Sequence, residues 1–359
     1  MRVLIAALPL VGHTLPMLPL AVALRAAGHD VRLATGGDAL VADTGDLTVH
    51  DVGADLPPTR PWRVVLGHPV LAAKVAMGRG GAAGAAMVLE PVNTGTVAPV
   101  RALVARWRPD LVVHDPMAIA GPVVAAELGV PAVLHGNALM DVDDLRSAVL
   151  ERHGLRALPP AALALDIAPP SVVGARPGTA LRTVPWSGRG AVPGWLARPA
   201  DRPRIVVSRS TISGGPGSDP IPAVVRAAAA VDAEIVLVRP ASEAGLPGNV
   251  RTVGWVPLDQ VLPHCTAVVH HGGAGTVLGA LVAGIPQLVV PGIGDRRFNA
   301  DMIARRGAGL AASPRRITAE VLRRLIADEE LAAAAREVQK EIAALPGPDD
   351  VVPDLVRLT

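Results

Sequence analysis

Residues 267–276 read Ala-Val-Val-His-His-Gly-Gly-Ala-Gly-Thr, and this stretch decides the fold. It opens on an apolar run without polar alternation, which predicts a strand buried on both faces, as in a parallel sheet. Closely spaced glycines follow, and a helical pattern begins at Thr276. A buried strand that runs through a glycine loop into a helix is the building unit of doubly wound α/β domains.

The same order of strand, glycine-containing loop and helix recurs along the whole chain. Continuous apolar segments predict strands in the first half at 2–8, 30–35, 48–52, 110–114 and 132–135. Further strands are expected in the second half at 204–208, 234–238, 250–254, 267–270, 287–291 and 309–312. Segments with helical spacing lie between them. This alternation predicts an α/β fold of two doubly wound, Rossmann-like domains.

The domain boundary is expected at 185–203, where proline and glycine accumulate without apolar periodicity. A length of 359 residues agrees with about two domains. We expect an N-terminal domain over 1–190, a linker over 191–203 and a C-terminal domain over 204–345. A second glycine-rich stretch, 57–84, predicts an irregular insert that is either a binding loop or disordered.

Composition excludes several classes of function. The 34 Lys and Arg residues against 32 Asp and Glu leave a net charge of +2, which is too small for a basic stripe. Nucleic acid is therefore not an expected partner. The single cysteine, Cys265, excludes an intramolecular disulfide framework and a multi-cysteine zinc site, and we expect no metal. A tyrosine cannot be the catalytic acid, because the chain has none.

Two apolar segments raise the question of a membrane. The stretch from Gln260 to Gly294 carries no charged residue and is long enough to span a bilayer. Glycines and prolines interrupt it, so a strand, loop, helix and strand inside a domain core are favoured. The N-terminus should form the first strand rather than a signal peptide, because only Arg2 precedes the apolar run and no cleavage site follows. We expect a cytoplasmic protein without a membrane partner.

Residues 272–275, called the glycine loop below, have the chemistry of an anion site. Glycines let the backbone approach an anion closely, and the helix that follows adds N–H groups and a positive dipole end. Thr276 can add a hydroxyl and His271 a ring N–H. The loop is not a Walker motif, since no lysine follows, and its spacing differs from the dinucleotide fingerprint. The alternative is a structural glycine turn with two incidental histidines.

Two side chains in the first half could act in catalysis. His13 follows the first predicted strand, and Asp115 follows the strand at 110–114. Both should lie at the carboxyl edge of the sheet, where open α/β sheets bind ligands. A histidine there can be a general base, and a carboxylate behind it fixes its tautomer. The alternatives are a packing or capping histidine and an aspartate that caps a turn beside Pro116.

Trp255 and Asp295 also follow predicted strands. An indole at a strand end can stack on a nucleobase while neighbouring backbone groups read the edge of the base. A carboxylate in a glycine loop, as at Asp295, can accept hydrogen bonds from sugar hydroxyls. Taken singly, a core tryptophan and a helix-capping aspartate are the ordinary alternatives.

In this order, the segments resemble the bacterial natural-product glycosyltransferases of the GT-B fold, in glycosyltransferase family 1. The resemblance covers the whole chain and is strongest over 250–310. It implies two domains facing each other across a cleft, with the acceptor in the first and the donor in the second. It also implies that residues 346–359 cross back to the first domain. The segments that carry it are Gly12-His13, Gly254-Trp255-Val256-Pro257, 270–276, Gly284-Ile285-Pro286-Gln287 and Asp295 with Asn299-Ala300.

The resemblance implies an inverting, metal-independent enzyme without a resident cofactor. Such an enzyme moves a sugar, often a deoxysugar, from a dTDP- or UDP-sugar to a hydrophobic natural-product aglycone in antibiotic biosynthesis. His13 would be the general base, supported by Asp115. Trp255 would stack on the pyrimidine, and the Val256 backbone would read its edge. The implied ligands of the diphosphate and the sugar are Thr211, His271, Gly273, Ala274, Gly275, Thr276, Asp295 and Arg296.

Two residues depart from the family pattern, because Arg296 stands where glutamine is frequent and Ser210 where glycine is usual. A non-catalytic homologue that binds an aglycone or a partner enzyme therefore stays open as an alternative. A C-glycosyltransferase acting on an aromatic carbon of a phenol is another, suggested by 183–188 and 343–352. A sugar-nucleotide epimerase of the same fold is a third.

The acceptor pocket is expected to involve Leu10, 57–84, Asn137 and 141–152. It should be aliphatic, because the chain contains a single phenylalanine and no tyrosine. A hydrophobic small molecule would suit such a lining. Homodimer formation is an open alternative to a monomer.

Overall fold

The computed structural model describes residues 1–54, 56, 67–77, 79–188, 190–210 and 219–359. The predicted ligand Thr211 and part of the predicted insert at 57–84 lie outside the described residues. The chain forms two compact units. The N-terminal unit comprises Met1–Pro170, Ala175–Gly188 and Ala344–Thr359, and the C-terminal unit comprises Ser171–Gly174 and Arg189–Ala343.

A seven-stranded parallel sheet forms the centre of the N-terminal unit. Its spatial order is β3-β2-β1-β4-β5-β6-β7, so the order of the strands reverses between β1 and β4. The strands are β1 (Arg2–Ala6), β2 (Asp30–Thr35), β3 (Thr48–Asp51), β4 (Leu111–His114), β5 (Ala132–His135), β6 (Leu163–Asp166) and β7 (Thr179–Ala180). The helices of the first half are α1 (Val11–Thr14), α2 (Leu18–Ala26), α3 (Pro69–Ala76), α4 (Gly81–Trp107), α5 (Ala120–Leu128), α6 (Val142–Arg152) and α7 (Pro170–Val173).

The C-terminal unit has a six-stranded parallel sheet in the order β10-β9-β8-β11-β12-β13. Here the order reverses between β8 and β11. The strands are β8 (Arg204–Ser208), β9 (Glu234–Val238), β10 (Val250–Val253), β11 (Ala267–His270), β12 (Gln287–Val289) and β13 (Gly309–Ala311). The helices of the second half of the chain are α8 (Ile221–Ala228), α9 (Leu258–Val261), α10 (Ala274–Ala283), α11 (Arg296–Arg306), α12 (Ala319–Ala327), α13 (Glu329–Ala344) and α14 (Val352–Val356). Of these, α14 belongs to the N-terminal unit.

Each sheet of the molecule is buried on both faces. In β8, Ile205 and Val207 belong to one apolar cluster and Val206 to another, because successive side chains of a strand point to opposite faces. β9 alternates in the same way, with Ile235 in the first cluster and Val236 in the second. Both faces therefore need apolar residues, which explains why these strands read as continuous apolar runs.

The predicted α/β fold class is confirmed, and all the predicted strands are present, some of them shorter at the carboxyl end. The prediction of an irregular insert is wrong at Pro69–Ala76, where an alanine-rich helix begins on a proline, and again where α4 begins at Gly81. β6 and β7 were not predicted. Among the described residues, no helix combines the length and the hydropathy needed to cross a bilayer.

Gly309 opens β13 where the backbone passes very close to β12. A methyl group on its Cα would collide with the carbonyl oxygen of Gln287 and lie 2.9 Å from Ile303 Cγ2. We expect Gly309→Ala to lower the free energy of unfolding by about 1–3 kcal/mol, as measured by urea denaturation. Gly279→Ala is the matched control, because its methyl would meet only Leu262 Cδ1, at 3.6 Å. Equal losses in both variants would contradict this interpretation.

Candidate active site

The glycine loop lies at the point of the C-terminal sheet where the strand order reverses. β11 ends at His270, which pairs with Ser208 of β8, and α10 begins four residues later. Gly273 is the N-cap of α10 in an extended conformation and has no side chain with which to cap the helix. The first-turn N–H groups and the positive end of the helix dipole are thus presented at the carboxyl edge of the sheet, as an anion site requires.

Gly272 makes the turn between strand and helix possible. Its backbone φ of +84° lies in the left-handed region that favours glycine. A Cβ atom here would also lie 3.0 Å from Val289 Cγ1 and 3.2 Å from Arg296 Cβ. A side chain at this position would push the start of α11 away from the loop.

His270 is fully buried and supports the glycine loop through its hydrogen bonds. Its Nε2 lies 2.8 Å from Gln287 Oε1, and its Nδ1 accepts the N–H of Gly272 at 3.1 Å. Since an amide oxygen can only accept, the ring carries its proton on Nε2. Burial lowers the pKa of His270 to about 4, so the ring is neutral at neutral pH. This histidine therefore positions the loop rather than contacting a ligand.

His271 is the histidine that can contact a ligand. Burial, together with the charges of His270 and Arg296, lowers the pKa of His271 to about 3, even though a hydrogen bond with the Ser208 backbone acts in the opposite direction. Its Nδ1 is buried and has no hydrogen-bond partner among the described residues. The ring is neutral at neutral pH and carries a single N–H, so an anion beside the helix N-terminus would be bound by Nδ1 in the tautomer with the proton on that nitrogen.

Asp295 precedes α11 and is linked to the glycine loop through Asn299. The amide nitrogen of Asn299 donates to Asp295 Oδ2 and to the carbonyl oxygen of Gly272, both at 2.9 Å. Asp295 occupies the N-cap position, but its side chain makes no capping hydrogen bond. The carboxylate is therefore held beside the loop by a buried asparagine and does not serve as an ordinary cap.

Arg296 packs against the same loop and is only 9% exposed. Its Nη2 donates to Ser210 Oγ at 2.9 Å, while its buried Nη1 has no partner among the described residues. Ser210 follows β8, and Arg296 follows β12 through a glycine turn. The two residues that depart from the family pattern are thus hydrogen-bonded to each other.

Trp255 is 56% exposed, which argues against a core tryptophan. It follows β10 and is succeeded by the buried Val256. The guanidinium carbon of Arg239, the residue after β9, lies 5.2 Å from the centre of the Trp255 ring. An exposed indole at the carboxyl edge of the sheet can serve as a stacking surface.

His13 and Asp115 meet at the strand-order reversal of the N-terminal sheet. His13 lies in α1, directly after β1, and Asp115 follows β4. His13 Nδ1 lies 3.3 Å from Asp115 Oδ1, and the aspartate side chain is fully buried. The carboxylate also accepts the backbone N–H of Leu8 and of Met117, each at 2.7 Å. Asp115 therefore organises the turn and contacts the histidine at the same time.

Asn137 is a third member of this group. Its side-chain amide lies 2.9 Å from His13 Nδ1, and the residue is 5% exposed. A carboxylate can only accept, so contact with Asp115 requires the His13 proton on Nδ1. A protonated Nδ1 is a donor, so the Asn137 side chain would then turn its amide oxygen, rather than its amide nitrogen, toward the ring. In that tautomer Nε2 is the ring nitrogen without a proton.

The structure brings most of the predicted site residues into two groups, one in each unit. Trp255 and Val256 lie along the same sheet edge as the C-terminal group, whose other predicted members follow β11 or β12. Sequence reasoning missed Arg239 and the bond between Asn137 and His13. Arg239 could have been found from its position directly after a strand. The predicted residues of the C-terminal group are His271, Gly273, Ala274, Gly275, Thr276, Asp295 and Arg296, and those of the N-terminal group are His13 and Asp115.

Two parallel sheets with flanking helices, with a glycine loop before a helix in the second, are the arrangement of GT-B glycosyltransferases. Residues 22–210 match the N-terminal domain of the family described as "Erythromycin biosynthesis protein CIII-like", and residues 222–358 match its C-terminal domain. The chain belongs to this family of natural-product glycosyltransferases and is an enzyme of that type.

Individual relatives agree with this assignment over their full length. The elloramycin glycosyltransferase ElmGT of Streptomyces olivaceus is 39% identical, covering 98% of this chain and 96% of the relative. The crystal structure of the glycosyltransferase SnogD from Streptomyces nogalater is 36% identical with a TM-score of 0.81, covering 100% and 99%. The glycosyltransferase SsfS6 of Streptomyces sp. SF2575, complexed with thymidine diphosphate, is 29% identical with a TM-score of 0.79, covering 99% of both chains.

Proposed function

We propose that this protein is an inverting, metal-independent glycosyltransferase that moves a deoxysugar from a dTDP-sugar to a hydrophobic natural-product aglycone. The observation that carries the proposal is the unpartnered Nδ1 of His271 beside the uncapped start of α10. This is a site built for an anion. The relative SsfS6 is complexed with thymidine diphosphate, which supports a dTDP-linked donor.

The donor is held by the C-terminal unit. Trp255 stacks on the pyrimidine, and the Val256 backbone reads its edge. The N–H groups at the start of α10 and His271 bind the diphosphate, and Asp295 accepts hydrogen bonds from sugar hydroxyls. Charge that develops on the leaving diphosphate is stabilised by these preorganised donors, so the mechanism needs no metal ion.

The acceptor is activated by His13 of the N-terminal unit. With its proton on Nδ1 facing Asp115, the ring takes the acceptor's hydroxyl proton on Nε2. The acceptor oxygen forms a bond to the anomeric carbon while the bond from that carbon to the phosphate oxygen breaks. The nucleoside diphosphate leaves with the electron pair. Attack opposite to the leaving group inverts the anomeric configuration.

Nucleotide binding is the direct test of the donor site. At a dTDP concentration one hundred times Kd, linkage adds about 2.7 kcal/mol to the free energy of unfolding. For a protein of this size we expect the melting temperature to rise by about 3–5 °C in differential scanning fluorimetry. Thymidine at the same concentration is the control and should give a smaller rise. No shift with either dTDP or UDP at millimolar concentration would contradict the proposal.

A further inference from the structure

Three arginines lie near the glycine loop, and the mechanism proposed above assigns no role to their charge, although Arg296 is among the ligands that the family resemblance implies. They are Arg209, Arg239 and Arg296, called the arginine cluster below. Arg209 and Arg239 follow the neighbouring strands β8 and β9, and Arg296 begins α11. Each has a buried guanidinium nitrogen without a hydrogen-bond partner among the described residues. A buried donor without an acceptor costs free energy of folding. A bound ligand with several acceptor atoms would remove that cost for the three side chains.

Arg296 is positioned as a ligand-binding group. Ser210 accepts a hydrogen bond from Nη2 and leaves Nη1 for another partner. The side chain packs closely on both glycine turns, because a Cβ on Gly272 would lie 3.2 Å from Arg296 Cβ and one on Gly292 would lie 3.0 Å from Arg296 Cδ. The guanidinium is therefore held at the loop that carries His271.

Arg239 is held in an unusual backbone conformation. Its φ of +52° lies in the left-handed region, which side chains other than glycine rarely adopt. The conformation is fixed by the hydrogen bond from its backbone N–H to the carbonyl oxygen of Val253, at 2.8 Å. Strained residues of this kind cluster at ligand sites. The Arg239 guanidinium lies 5.2 Å from the centre of the Trp255 ring, and its charge is among the causes that lower the pKa of His271.

The charges in this region repel one another in the absence of a ligand. Burial lowers the pKa of Arg296, and burial followed by the charge of Arg209 lowers the pKa of Arg239. Two described carboxylates interact with the cluster: Asp295 with Arg296, and Asp219, whose Oδ2 lies 4.0 Å from Arg209 Nη1. Like charges gathered beside a helix N-terminus are stabilised when an anion joins them.

We propose that Arg239 and Arg296 bind the phosphates of a nucleoside diphosphate and so distinguish it from the uncharged nucleoside. The inference rests on the proposed donor site. It adds Arg239 to that site and assigns the phosphates as the partner of Arg296, which the family resemblance implied only as a ligand of the donor. Arg296 completes the diphosphate site at the glycine loop, with Ser210 holding it in place. Arg239 reaches the phosphates from the side of Trp255. Guanidinium groups suit this role because their donors match phosphate oxygens in pairs.

Calorimetric titration of the full chain with dTDP tests the proposal, using Arg296→Gln and Arg239→Gly. Glycine accepts the positive φ of residue 239, so this variant should melt at or above the temperature of the wild type. Each substitution should weaken dTDP about tenfold to a hundredfold, the effect of losing a hydrogen bond to a charged group. Thymidine affinity, measured by saturation-transfer NMR, should change less than threefold. Arg226→Gln, an exposed arginine of α8, is the control and should bind dTDP like the wild type.

The outcomes separate this inference from the function on which it rests. If the wild type binds dTDP and both variants bind it equally well, the two arginines do not bind phosphate and the proposed function stands. Equal losses for dTDP and thymidine would also overturn the inference, because the arginines would then shape the site as a whole. If the wild type binds neither dTDP nor UDP, the proposed function itself fails. Recovery of dTDP affinity in Arg296→Lys would support a direct contact with phosphate.

Discussion

Replacing His13 with alanine should lower kcat for sugar transfer by about 10²–10⁴-fold, the usual contribution of a general base. The reason is the geometry at the N-terminal strand-order reversal. His13 Nδ1 lies 3.3 Å from the buried carboxylate of Asp115, so Nε2 is the nitrogen that can take the acceptor's proton. The rate of dTDP release in the presence of an aglycone that the wild type glycosylates measures the effect. Affinity for dTDP should be unchanged, because the donor residues belong to the C-terminal unit.

The matched control is His29→Ala. His29 directly precedes β2 and therefore lies at the amino edge of the same parallel sheet, away from ligands. Its replacement should leave kcat within about twofold. Asp115→Asn should lower kcat as well, because an amide can turn its donor nitrogen toward His13 and favour the wrong tautomer. A His13→Ala variant with wild-type kcat would show that the base is another group, while the family assignment would stand.

Sequence reasoning found the parts of the molecule that depend on local pattern. Buried parallel strands read as apolar runs, and the loop between β11 and α10 is visible because its glycines are required by close packing. α4 was missed because Pro91 and Pro99 lie inside a 27-residue helix, where proline normally predicts an end. β7 was missed because it has only two residues at the edge of a sheet.

Contacts that join distant residues could not be predicted in the same way. Asn137 and His13 are 124 residues apart in the chain, and only the parallel order of β1, β4 and β5 brings them together. The bond between Ser210 and Arg296 depends equally on the order of β8, β11 and β12. In the sequence these two residues are separate departures from the family pattern. In the structure they are joined by a hydrogen bond.

Lowering the pH from 7.5 to 5.0 is expected to destabilise the folded protein. Burial lowers the pKa of His114 and His135 in the N-terminal unit to about 4, and the pKa values of His270 and His271 in the C-terminal unit to about 4 and about 3. The unfolded chain binds these protons near pH 6.5, where the folded chain does not. The unfolded state therefore binds more protons between pH 6.5 and about 4, and the free energy of unfolding falls as the pH falls through that window.

The size of this effect follows from the number of buried histidines. Each one lowers the free energy of unfolding by roughly 1.4 kcal/mol per pH unit below 6.5, so two in one unit remove about 4 kcal/mol at pH 5. That is a large share of the roughly 5–15 kcal/mol that stabilises a typical domain. Urea denaturation at pH 7.5 and pH 5.0 measures the loss. His270→Gln removes one titrating ring and should reduce the loss by about 2 kcal/mol. Equal free energies of unfolding at the two pH values would mean that these rings are hydrated or paired in the folded protein, and His270 could then no longer be the neutral support of the glycine loop.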